Sequence, residues 1–271
     1  MKLDKDKLIL KSKQIRRDIL KMVGRAGASH VGTALSCTDI LTALYFRVAK
    51  VSPKNPKWRS RDRIILSKGH GGVGLLATLA NRGFFSRKQL LRYCFDGTPY
   101  TGHPMIESAP GIEVTTGSLG HGLSMGLGMA LALKADRLKS KVYVILSDGE
   151  LDEGSCWEAI LAAGNFKLDN LVAIVDYNKI QSFGTVAEVM DLEPLLAKWQ
   201  AFKWGVREVD GHNFSEMLEA FGSVPFTQER PSVIIAHTIK GRGVSFMENK
   251  LEWHYKSPDN DQLKKALAEL S

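Results

Sequence analysis

The stretch "SDGELDEGSCWEAILAAGNFKLDNLVAIVDYNKIQ", residues 147–181, closes one apolar run with an Asp-Gly pair and the next with a lone Asn. Asp148 and Asn178 both offer oxygen, the donor atom preferred by hard divalent cations such as Mg²⁺ or Ca²⁺, and such a cation keeps coordination positions for phosphate. Gly149, which has no Cβ, lets a bulky anion approach the backbone. The same residues have a plainer use, since Asp-Gly is a common turn pair and an Asn after a strand is an ordinary turn former. Taken alone, the pair leaves both readings open.

Three further stretches are rich in glycine and histidine: "GASHVGTALS" (27–36), "LSKGHGGVG" (66–74) and "TGSLGHGLSMGLGMA" (116–130). Glycine at this density just before a helix lets backbone N–H groups face a phosphate, although it also serves close helix packing. His30, His70, His103 and His121 all fall in such loops or at helix starts. Four imidazoles in ligand-facing positions suit a site that handles protons and hydroxyl groups.

The elements that must carry these residues follow from hydrophobic patterning. "RIIL" (63–66), "VYVIL" (142–146), "LVAIV" (171–175) and "SVIIAH" (232–237) are continuous apolar runs, as expected for strands of a parallel sheet covered on both faces. Helical patterns are predicted near 5–22, 37–49, 72–82, 86–95, 121–138, 155–166, 213–222 and 259–269, with Ser86 as an N-cap and Asn213 with Glu216 as a capping box. This alternation predicts an α/β fold: a doubly wound, mostly parallel sheet with helices on both faces. In such a sheet the carboxyl ends of the strands open on one crevice, and Asp148 and Asn178 both sit just past such ends.

Composition narrows the function. With 271 residues, 44% of them hydrophobic, and no internal repeat or Gly/Ser linker, a single domain over 1–271 is expected. The odd, scattered cysteines Cys37, Cys94 and Cys156 suggest neither a disulfide framework nor a zinc site and fit a reducing cytoplasm. Neither a signal peptide nor a membrane span is apparent. The net charge of +8 is spread along the chain without interleaved aromatics, so no nucleic acid is expected as partner. Its densest part, Lys2 to Lys21, reads as the solvated face of an amphipathic helix. A positive surface also serves capture of a small anionic substrate or cofactor.

Taken together, these motifs resemble the N-terminal, diphosphate-binding section of transketolase, in the same order and over nearly the whole chain. "SDGELDEGSCWEA" with "DYNKIQ" is similar to the thiamine diphosphate signature of that superfamily, with Tyr177 where many members carry another Asn. "ASHVGTALS", "LSKGHG" and "TGHP" are similar to its three histidine loops, and "TGSLGHG" to its glycine turn over the cofactor. "TIKGRGVSFMENKLEWH" is similar to a stretch that places a lysine and a histidine near the cofactor, though Tyr255 follows where glycine is common.

The resemblance implies thiamine diphosphate and a divalent metal, Mg²⁺ or Ca²⁺, as cofactors. Asp148, Asn178 and the Ile180 carbonyl would hold the metal, His70 and the Gly149 backbone would contact the diphosphate, and Gly117 and Leu119 would lie against the cofactor. His30, His103 and His254 would line the substrate channel as catalytic residues and bond donor hydroxyls, with His30 and His254 the better placed to move the proton during carbon–carbon cleavage. Lys240 would stand near the cofactor, with Glu153 and Glu158 in an acidic network at a subunit interface. It further implies that the pyrimidine-binding and C-terminal domains belong to a second polypeptide, making this chain one subunit of a split transketolase acting on sugar (phosphate) substrates. The rivals are a subunit of another thiamine diphosphate enzyme, either deoxyxylulose phosphate synthase-like or a 2-oxo acid dehydrogenase, and a non-catalytic scaffold that retains the fold.

Overall fold

A computed structural model of the chain, describing residues 3–271, is built on one five-stranded parallel sheet in the order β1-β2-β3-β5-β4. Its strands are β1 (Arg63–Leu66), β2 (Val142–Ser147), β3 (Leu171–Tyr177), β4 (Gly205–Asp210) and β5 (Ser232–His237). Helices α1 (Lys5–Ala26), α2 (Val31–Ser36), α3 (Thr38–Ala43) and α4 (Gly72–Arg82) are followed by α5 (Gly122–Ala135) and α6 (Gly154–Asn165). The remainder are α7 (Val186–Val189), α8 (Leu195–Ala201), α9 (Phe214–Gly222) and α10 (Asn260–Glu269). The basic amphipathic stretch expected from Lys2 to Lys21 is α1 from Lys5 onward, and Lys2 itself lies outside the described residues.

Successive residues of a strand point to opposite faces, and the two cores divide accordingly. Ile64, Tyr143, Ile145, Val172 and Ile234 pack with side chains of α1, α3, α4 and α9. Ile65, Val144, Ala173, Val175 and Ile235 pack on the other face with α5, α6 and α8. Burial on both faces is the reason β2 and β3 read as unbroken apolar runs.

β4 was not among the expected strands. It lies at the sheet edge, and its sequence, GVREVD, leaves Glu208 and Asp210 exposed, so it lacks the continuous apolar run of a central strand. The helix expected over 37–49 divides into α3 and a π-helical turn at Leu44–Val48, with α2 directly before it, while 86–95 forms only a short 3₁₀ helix, Arg87–Arg92. Ser86 makes no side-chain cap. Asn213 does cap α9, accepting from the Ser215 and Glu216 N–H groups, but Glu216 accepts from the Asp210 N–H at 2.9 Å, so the capping box is not closed. Closed capping boxes occur instead at Thr185 with Glu188 and at Asp259 with Gln262. No described helix is long and apolar enough to cross a membrane.

Candidate active site

In the β2–β3 register Ser147 lies opposite Asp176, so Asp148 and Asn178 emerge side by side at the carboxyl end of the sheet. Both border a cavity of about 260 Å³. The Asp148 carboxylate is buried at 2% exposure, accepting the Gly149 N–H at 2.8 Å through Oδ1 and the Lys179 N–H at 2.6 Å through Oδ2. It thus ties together the two strand tips while still lining the cavity, so the turn role leaves it at the cavity wall. Burial, with Asp176 nearby, pushes its carboxyl up to about 6.

The next turn is shaped by Lys179, a non-glycine residue in left-handed conformation at φ 66. Within it Asn178 Oδ1 accepts the Ile180 N–H at 3.1 Å. The Lys240 ammonium is a hub: it donates to the Ile180 carbonyl at 2.9 Å, the Gln181 carbonyl at 3.1 Å and His254 Nδ1 at 3.0 Å. Burial brings Lys240 down to about 8. Accepting at Nδ1 leaves the His254 proton on Nε2.

Four histidines close the cavity. His30 sits in left-handed conformation at φ 71 just before α2, and its N–H donates to the His254 carbonyl at 2.8 Å. Its ring centroid lies 5.2 Å from His254, 5.6 Å from His70 and 5.9 Å from His103. Burial lowers His30 to about 4, with His103 and Lys240 adding repulsion, and lowers His254 to about 3, with Lys240 adding. His70 is lowered well below the ordinary range by burial and by Lys68. These three imidazoles are therefore neutral at pH 7; His30 and His70 each carry one lone pair, while His254, whose Nδ1 lone pair is taken by Lys240, presents an Nε2–H donor. Gly117 makes the approach of His103 possible: at φ 151 it holds a conformation rare for other residues, and a Cβ there would stand 3.1 Å from the His103 ring.

Of the residues singled out in the sequence, His30, His70, His103, His254 and Lys240 all reach the cavity. So do Gly117, Leu119, Asp148, Gly149, Asn178 and Ile180. His121 does not; it is exposed, its Nδ1 lying 3.0 Å from the Leu119 carbonyl. Glu153 and Glu158 also stand outside, exposed at the start of α6, where they are not placed to bind a cofactor in the cavity. Tyr177 turns away and donates to Glu193 at 2.8 Å.

Two buried groups under the site escaped the sequence reading. Lys68 and Asp176 form an ion pair at zero side-chain exposure, and Asp176 also accepts from Ser36 and Thr238. Burial opposes the Lys68 charge, but Asp176 keeps its ammonium above the ordinary lysine range. The available signal was a charged residue at the end of each of two apolar strands. Glu150 is fully buried, accepting from Ser67 and from the Gly120 N–H at 3.0 Å, and so joins the β1 and β2 tips to the glycine turn. Thr33, Ser147, Gln181 and Ser182 also line the cavity and carried no signal of their own.

A carboxylate, an amide oxygen and a carbonyl form an oxygen-only set that suits Mg²⁺ or Ca²⁺, and the adjoining Gly149 and neutral His70 suit an anion held by that cation. The donor chemistry therefore fits a metal-bound diphosphate.

Comparison with known proteins places the chain. It is 46% identical over 264 residues to an apulose-4-phosphate transketolase subunit of Phocaeicola vulgatus, covering 97% of this chain and 94% of that one. It is 46% identical over 256 residues to 6-deoxy-6-sulfo-D-fructose transketolase subunit SqwG of a Clostridium species, covering 94% and 93%. Human transketolase is 35% identical over 258 residues, but the chain spans only 41% of its length. The fold superposes on the crystal structure of Campylobacter jejuni transketolase with a TM-score of 0.93 at 29% identity, covering 99% of this chain and 43% of that one. Residues 9–270 match the family model described as transketolase, thiamine diphosphate binding domain, and the chain belongs to that family.

Proposed function

We propose that this chain is the cofactor-anchoring subunit of a two-component transketolase, which with a second polypeptide moves a two-carbon ketol unit from a phosphorylated ketose to an aldose. The observation that carries the reading is the convergence of an oxygen-only ligand set and four histidines on one cavity at the strand tips. Relatives of matching length that are themselves named transketolase subunits support the division into two chains.

Thiamine diphosphate, when bound, supplies the centre that stabilises the carbanion left by carbon–carbon cleavage. Asp148, Asn178 and the Ile180 carbonyl would hold the divalent cation, and His70 with the Gly149 backbone would meet the diphosphate. Gly117 and Leu119 shape the wall beside it. His30 and His103 meet donor hydroxyls, where a ring nitrogen can accept and return a proton, and His254, its Nδ1 held by Lys240, turns its Nε2–H to a donor oxygen. Lys240 fixes the Ile180 carbonyl and the His254 tautomer together. Glu153 and Glu158 are free to join an acidic network across the partner interface.

The partner carries the pyrimidine-binding and C-terminal domains, and the assembly is a heterotetramer with two copies of each chain. Its three free cysteines support a reducing, cytoplasmic location. The pair His30 and His103 favours ketol transfer over a 2-oxo acid dehydrogenase, whose substrate has no such hydroxyls to hold. The test is to assay the purified chain alone and then with its partner, using a ketose donor, an aldose acceptor and saturating cofactor and magnesium. Transfer only in the mixture is expected, and robust transfer by the chain alone would overturn the two-component reading.

A further inference from the structure

At the amino end of the sheet, opposite the strand tips that hold Asp148 and Asn178, lies a second cavity of about 430 Å³. Strands of this length put it roughly 20 Å from the candidate active site. Four cationic side chains border it: Arg47 and Lys50 from the segment after α3, and Lys139 and Lys141 from the segment before β2. Among the described residues none of the four forms an ion pair.

The one carboxylate on the wall offsets only part of their charge. Asp62 is buried at 4% exposure and spends both oxygens on backbone, accepting the Lys50 N–H at 2.7 Å and the Lys141 N–H at 2.8 Å. It clamps the two lysine-bearing segments side by side and leaves their ammonium groups to the cavity. The Lys141 ammonium is anchored by a bond to the Val224 carbonyl at 2.8 Å, and burial lowers it against the attraction of Asp62. Tyr143, 3% exposed and packed edge-on against Phe221, borders the same space with a hydroxyl that makes no hydrogen bond among the described residues. A neighbouring cavity of about 290 Å³ shares Lys139 and Lys141 and adds Arg137, so the positive wall continues beyond the first hollow.

Four positive charges facing one carboxylate leave an excess of like charge that repels itself, and the arrangement is relieved by an anion that spans the cations. A chain of phosphates carries more charged oxygens than a monophosphate and so offsets more of this excess charge. The volume is that of a small-molecule pocket, and the buried Phe221 gives it an apolar wall. A polymer would ask for an open basic stripe with exposed aromatics. We propose that this cavity is a binding site for a small metabolite bearing a di- or triphosphate group, separate from the candidate active site and independent of the function assigned to it.

The test is calorimetric titration of the purified chain with inorganic triphosphate and, separately, ATP, at about 0.15 M salt, where diffuse surface attraction is screened, and without divalent metal. One-to-one binding is expected. Lys50→Ala and Lys139→Ala should each weaken it by about fivefold, the scale of one exposed charge pair, and Arg47→Ala combined with both should remove it. His70→Ala should leave it unchanged, because that residue lines the other cavity. Arg47, Lys50 and Lys139 are exposed, so their variants should keep the wild-type melting temperature. Absence of binding at this salt would overturn the proposal, as would equal loss in His70→Ala. Affinity for single-stranded oligonucleotides that exceeds that for triphosphate and grows with length would overturn it in favour of a polymer surface.

Discussion

Gly69→Ala is a sharp test of how the two glycine loops build the site. Gly69 follows β1 and packs against the turn that carries Gly117 and Leu119. A Cβ at Gly69 would stand 2.5 Å from the Gly117 nitrogen, 2.6 Å from the Thr116 carbonyl carbon and 2.8 Å from the Gly117 Cα. All three are backbone atoms, so no side chain can rotate aside. The nearest contact falls about 0.9 Å short of the 3.4 Å at which ordinary contact begins, and the turn must move by that amount. Overpacking of this kind costs about 1–3 kcal/mol of stability. A displacement near 1 Å in a wall that positions reactants costs roughly 10²-fold in rate. The assembled enzyme should therefore lose about two orders of magnitude in ketol transfer and bind thiamine diphosphate more weakly, while a melting curve shows a fold still formed. Gly154→Ala, where an added Cβ meets nothing within 4 Å, is the control and should be near neutral. Wild-type transfer and cofactor affinity in Gly69→Ala would show that the turn's position does not matter and would refute the reasoning.

Asp148→Asn should abolish metal-dependent binding of thiamine diphosphate by the assembled enzyme, measured by calorimetry, and affinity equal to wild type would return Asp148 to a purely turn-fixing role. Because the Asp148 carboxylate also accepts the Lys179 N–H, Asp148→Ala should in addition lose about 1–3 kcal/mol in chemical denaturation, the cost of leaving a buried donor unpaired. His30 and His254 have folded values near 4 and 3, below the ordinary 6.5, so the unfolded chain binds their protons first as pH falls. Their contribution to stability is present above pH 6.5 and is lost as pH falls through their folded values; imidazole resonances titrating near 6.5 in the folded chain would contradict this. Tyr255, 60% exposed, borders the cavity with its ring 4.6 Å from that of His254, and Tyr255→Gly should change KM for the ketose more than kcat. An unchanged KM would show that the ring lies outside the substrate path.

Much of the site was legible in the residues because its determinants are local. A strand that ends in Asp-Gly or in Asn advertises its tip, and a parallel sheet brings all its carboxyl ends to one crevice whatever the strand order. The buried central strands announced themselves through continuous apolar runs, while β4, half solvated at the edge, did not. The histidine loops were visible as composition, but only packing separates His30, His70, His103 and His254, which converge within 6 Å or so of a neighbour, from His121, which stays in solvent. Spacing along the chain does not encode that difference, since it depends on which loop lies against which. The buried pair Lys68 and Asp176 meets across 108 positions, and Glu150 reaches Ser67 across 83. The basic cavity assembles Arg47, Lys50, Lys139 and Lys141 from distant segments that in sequence read only as scattered charge. Residue types and local order thus determined the family, the sheet and the candidate ligand set. Tertiary structure alone decided which charges are paired, which imidazoles are kept neutral and where the unpaired cations gather, because burial and distance between remote segments exist only once the chain is folded.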